Sequence, residues 1–80
     1  SIKLSPNPAK GLVQLTFSQV SEFKTTINFI SSEGKKVKSI RLGKVQYGIE
    51  TIDISKLSKG VYYVQFENGI ETKTEKLIIQ

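Results

Sequence analysis

Histidine and cysteine are both absent from this 80-residue sequence. The commonest general base, the commonest metal ligand and the strongest side-chain nucleophile are therefore missing. Acid–base chemistry falls to seven carboxylates, Glu22, Glu33, Glu50, Asp53, Glu67, Glu71 and Glu75. A hydrolytic pair needs two carboxyl groups held close on either side of one bond. No two of these residues show a spacing that demands such a pair, and their scatter among lysines fits solvated strand faces and turns. The chain is not expected to be an enzyme: no catalytic residue, metal ligand or cofactor is expected.

The cations are the next chemistry to weigh. Twelve Lys and Arg against seven Asp and Glu give a net charge of +5, and Lys35, Lys36, Lys38, Arg41 and Lys44 fall in one stretch. Phosphate binding is the obvious thought. Modules that bind single-stranded nucleic acid interleave such cations with exposed stacking rings, and no aromatic residue interrupts this stretch. A solvated strand face is the reading adopted, with an acidic protein or a surface glycan as the alternative partner. No nucleic acid is expected.

Size limits what could position a site. No apolar run approaches the roughly 20 residues that cross a bilayer, so direct membrane insertion is not expected. A domain this small buries only about 60% of the surface of its unfolded chain, which leaves one core and no deep cleft. The sequence contains no Met, so Ser1 is not an initiator, and its first residues lack an apolar signal-peptide region. Residues 1–80 are accordingly expected to be one domain excised from a longer protein.

Hydrophobic residues alternate with a period of two, the period of strands. LVQLTF places Val13, Leu15 and Phe17 on one face, and FKTTINFI does the same for Phe23, Thr25, Ile27 and Phe29. IETIDI, VYYVQF and KLIIQ contribute Ile52 and Ile54, then Tyr62, Val64 and Phe66, then Leu77 and Ile79. In KKVKSIRL the phase slips between Val37 and Ile40, which predicts a bulge near Lys38 or Ser39. Ser32-Glu33-Gly34 and Glu67-Asn68-Gly69-Ile70 read as hairpin turns, the latter with an Asn-Gly pair suited to type I′ geometry. About seven short strands with such turns predict an all-β fold, an immunoglobulin-like antiparallel β-sandwich. Its expected core is Leu15, Phe17, Ile27, Phe29, Ile52, Ile54, Leu57, Tyr62, Val64 and Phe66.

Two segments are more specific than alternation. LSKGVYY resembles a tyrosine corner, in which the Tyr62 hydroxyl bonds backbone near Leu57 or Ser58 and Gly60 lets the chain turn without a Cβ clash. LSPNPAKG holds both prolines of the chain, Pro6 and Pro8. Proline supplies no N–H and favours extended neighbours, so this stretch is expected to be a stiff lead-in along a sheet edge, with Gly11 turning the chain into the next strand.

PNPAKG near the start, LSKGVYYV late and KLIIQ at the end stand in the order of three landmarks of the C-terminal sorting domain of type IX secretion, a family this chain resembles over essentially its whole length. Ser58-Lys59 stands where a proline often precedes the glycine. The resemblance implies a seven-stranded sandwich that directs a cargo protein across the outer membrane of a Gram-negative bacterium and is then cleaved off. It implies as partners the outer-membrane secretion machinery and a sortase-like signal protease, and as location the cell surface or medium, reached through the periplasm. By the same resemblance the recognition residues are Pro6, Asn7, Pro8, Gly11, Gly60, Tyr62, Lys76, Leu77, Ile78, Ile79 and Gln80. A monomer is expected. The competing reading is a fibronectin-like or carbohydrate-binding accessory module of a secreted enzyme. That module would normally expose a row of aromatics, and Tyr47 and Tyr63 are the candidates in the sequence.

Overall fold

A computed structural model describes residues 2–17, 21–45 and 48–80 of the chain. Seven strands succeed one another: β1 (Ile2–Lys10), β2 (Leu12–Phe17), β3 (Ser21–Ser31), β4 (Lys36–Val45), β5 (Gly48–Asp53), β6 (Gly60–Glu67) and β7 (Thr72–Ile79). Their hydrogen-bonded order is β4-β3-β6-β7-β1-β2-β5. No helix occurs among the described residues.

The strand order folds over at β1. The first part of β1 pairs antiparallel with β2, matching Ile2 to Phe17 and Leu4 to Leu15. Further on, Ala9 pairs with Ile79 of β7 in the only parallel register among the described strands. One strand thus serves two sheets, β1-β2-β5 and β4-β3-β6-β7, and both prolines sit at the change-over. Both prolyl peptide bonds are cis. The smallest extent of the molecule is 16 Å, enough for two sheets packed about 10 Å apart and no third layer.

Alternation puts the apolar residues between the layers. Val13, Leu15, Phe17 and Ile52 of one sheet are buried against Ile27, Phe29, Val64, Phe66, Leu77 and Ile79 of the other. Every expected core residue is buried except Leu57, which packs half-buried against the cluster. Leu4 and Ala9 complete it from β1. The side chain of Phe23 lies outside the described residues.

The predicted phase slip in β4 is real and lies one residue earlier than expected. Phe29 pairs with Lys38 and Ile30 with Lys36, so Val37 is the extra residue. A second slip falls at Gly43, since Lys24 meets Lys44 while Thr25 meets Leu42. Bulges and cations together blunt this edge strand against pairing with another chain. At the other edge Glu50 lies opposite buried Leu15 yet stays exposed, an inward-facing charge of the same protective kind.

One turn departs from expectation. A type I′ turn needs positive φ at both central residues, and no non-glycine residue among those described has it. Gly69 alone adopts positive φ, 88°, while Asn68 accepts the backbone N–H groups of Ile70 and Glu71 on Oδ1, each at 3.0 Å. The asparagine side chain replaces the second tight-turn residue, as is usual in Asx turns.

Candidate functional site

The side chains that answer for the three landmarks lie where β1, β6 and β7 meet. Asn7 stands between two residues that have no N–H to offer, and its side-chain amide bonds the neighbouring strand in their place. Its Nδ2 donates to the Lys76 carbonyl at 2.8 Å, and its Oδ1 accepts the Ile78 N–H at 3.0 Å. A backbone peptide at this place in a parallel ladder would make the same two bonds. The donor on one side and the acceptor on the other fix the orientation of the amide. Two residues on, the ladder becomes ordinary: Gln80 N–H donates to the Ala9 carbonyl at 2.8 Å. PNPAKG and KLIIQ are therefore one structural unit, and the proline segment is not a free edge.

The other landmark adjoins it. The Tyr62 hydroxyl donates to the Ser58 carbonyl at 2.5 Å, with Ser58 Oγ 3.4 Å away. This tyrosine corner closes the crossing from β5 in one sheet to β6 in the other. Within the crossing Leu57 N–H donates to the Ile54 carbonyl, and Asp53 Oδ1 accepts the Ser55 N–H at 2.9 Å. Hydrogen bonds from Ser55 hold the Asp53 carboxyl below its ordinary pKa, with Lys38 and Lys56 adding attraction. Gly60 adopts a φ of 154°, where the Cβ of an L residue would crowd its own local backbone, although no more distant part of the chain lies within 4 Å of that position. This agrees with the expected role of Gly60 in turning the chain without a Cβ clash.

β6 and β7 pair as Val61 with Ile78, Tyr62 with Leu77 and Tyr63 with Lys76. Tyr62, Leu77 and Ile79 point into the core and are buried. Val61, Tyr63, Lys76 and Ile78 face the other way, on the outside of the four-stranded sheet. Pro6, Asn7, Pro8, Gly11, Gly60 and Gln80 are exposed, with Gly11 in the turn between β1 and β2. Burial thus divides the expected recognition residues into those that reach the surface and those that support it.

Two polar features went unnoticed in the sequence. Asn28 is buried on the outer-face parity of β3, where Nδ2 donates to Gln65 Oε1 at 3.2 Å and Oδ1 accepts from Ser39 Oγ at 2.8 Å. The register places those three residues side by side, which only strand pairing could reveal. Lys73 pairs with Glu75 at 3.0 Å and donates to the Ile2 carbonyl at 3.2 Å, bridging β7 to the start of β1. Both carry the parity of the core, one polar closure of a side the sheets leave open.

No group of three His, Cys, Asp or Glu among the described residues is placed to hold a metal ion. Tyr63 is the one exposed aromatic side chain among those described, and Tyr47 lies outside them. The described residues form an all-β sandwich whose polar side chains fasten strands to one another. This chain belongs to the secretion system C-terminal sorting domain family, whose profile matches residues 3–80. Membership makes it a type IX sorting signal of a secreted or cell-surface protein that interacts with the secretion machinery, and domains of this family are not catalytic. A comparison with curated proteins found no match.

Proposed function

We propose that residues 1–80 form the single C-terminal domain of a longer secreted protein, that the outer-membrane secretion machinery reads it as a folded address, and that a sortase-like protease then removes it. The domain carries no catalysis of its own and acts as a monomer. The cargo passes through the periplasm of a Gram-negative bacterium to the cell surface or medium. The observation that carries the reading is the Asn7 bridge, which makes the proline motif and the last strand a single unit. In this reading Lys76, Ile78 and Gln80 offer outward side chains. Pro6, Asn7, Pro8, Gly11, Gly60, Tyr62, Leu77 and Ile79 shape the backbone that presents them.

The test is a reporter carrying a Sec signal peptide, fused ahead of this domain in a type IX-secreting bacterium. Surface or medium delivery with loss of the domain is the expected result. Retention of a folded, uncleaved fusion in the periplasm overturns the proposal.

A further inference from the structure

The outer face of the four-stranded sheet carries a row that crosses all four strands. Lys36 of β4 pairs with Ile30 of β3, Ile30 with Tyr63 of β6, and Tyr63 with Lys76 of β7. The adjoining pair is Val61 with Ile78. Tyr63 is 41% exposed and Ile78 38%, beside half-buried Ile30 and Val61. Elsewhere the outward positions of this sheet are polar, as Thr26, Asn28, Gln65, Thr74, Glu67 and Thr72 show. The apolar residues are gathered at one end of the face, on β3, β6 and β7.

We infer that this patch is the docking surface of the domain, and that its occupant is a protein of the secretion machinery with an apolar centre edged by carboxylates. The inference rests on the sorting function proposed above and adds where the signal is read. Charge argues for such a partner. Lysines stand at both ends of the row, which contains no carboxylate, and three strand spacings of about 4.8 Å separate their backbones by roughly 14 Å. Ile30 and Tyr63 between the lysines, with Val61 and Ile78 beside them, need an apolar counter-surface, which an anionic glycan would not supply. An apolar centre inside a charged rim is the usual anatomy of a protein–protein contact, and tyrosine is a frequent anchor of it. The lysine-blunted edge of β4 directs the partner to the face and away from strand addition.

The test compares fusions of the wild-type domain with Tyr63→Glu, Ile78→Glu and the double charge reversal Lys36→Glu/Lys76→Glu in the reporter assay. Ile49→Glu and Ile70→Glu are the controls, since Ile49 and Ile70 are more exposed, at 61% and 70%, and lie off the patch. Each patch variant should deliver at least about tenfold less reporter, while the controls stay near wild type and all melting curves of the purified domains agree within a few degrees. Charge reversal keeps the falsifying power if Tyr63→Glu fails to fold, because Lys36 and Lys76 are solvent-exposed. Wild-type delivery by folded patch variants overturns the inference alone, as does an equal loss in the controls. Patch variants that cross the membrane normally but are no longer retained at the surface would assign the face to a glycan and overturn it. A dimer in sedimentation that Tyr63→Glu dissolves, with delivery unchanged, would assign it to a second copy and also overturn it. Failure of every fusion, wild type included, overturns the sorting function and this inference with it.

Discussion

Two side chains in this domain bond backbone across a gap, and they do so over very different distances in sequence. Tyr62 reaches Ser58, four residues back, while Asn7 reaches Lys76 and Ile78, 69 and 71 residues ahead. The tyrosine is buried and its bond closes a loop between two sheets. The asparagine is exposed and its bonds replace a stretch of ladder that the prolines cannot make. Water replaces an exposed bond more readily than a part-buried one, so the loss of the asparagine's bonds is the better compensated. The two devices therefore differ in what they hold: the corner secures the whole fold, and the bridge secures the last strand.

Leu77 lies where both meet, opposite Tyr62 and between the two residues that Asn7 holds. Leu77→Ala should be the largest single effect, about 2 to 5 kcal/mol, because the side chain is fully buried and its loss leaves a cavity. A denaturant midpoint that falls with an unchanged slope would confirm it; a shift under about 1 kcal/mol would mean the strand is not integral to the core.

Tyr62→Phe comes next, at about 1 to 1.5 kcal/mol, since it removes a part-buried hydrogen bond without changing the packed ring. Equal midpoints for wild type and variant would show the corner to be dispensable here.

Asn7→Ala should lower global stability by only about 1 kcal/mol. Its clearer sign is local: amide exchange at Ile78 accelerates while that of Ile27 and Phe29 in β3 holds. Asn7→Asp sharpens this, because a carboxylate still accepts from Ile78 N–H and no longer donates to the Lys76 carbonyl. Protection at Ile78 should survive in Asp and vanish in Ala.

The smallest effect is that of Asp53. Its pKa is lowered by folding, so its contribution is present above the ordinary carboxylate pKa and is lost as pH falls through the depressed folded value. The stability gap between wild type and Asp53→Asn should accordingly be widest at neutral pH and close in acid. A gap that persists below the depressed pKa would mean the charge is irrelevant.

What could be read from the sequence was whatever neighbours in the chain decide. Alternation at Val13, Leu15 and Phe17 or at Tyr62, Val64 and Phe66 located the core, because each strand buries every second residue whichever strand it pairs with. The slip in β4 was visible within one residue, since a bulge reverses the parity of the residues after it. The tyrosine corner was legible for the same reason: donor, acceptor and glycine all lie between Ser58 and Tyr62.

Tertiary structure alone decided the rest. Nothing near Asn7 hints at Lys76 or Ile78, and a proline pair with a polar residue between reads equally well as a free edge. The apolar end of the outer sheet face is likewise assembled from β3, β6 and β7, whose outward residues look like ordinary scattered exceptions in any one strand. Asn28 is a polar residue in an apolar run until strand pairing supplies Ser39 and Gln65. The physical reason is common to all three. Burial obeys a local period that one sequence displays, whereas a hydrogen bond or a shared patch needs a partner whose identity is set by the three-dimensional path of the chain, above all by register between strands far apart in sequence.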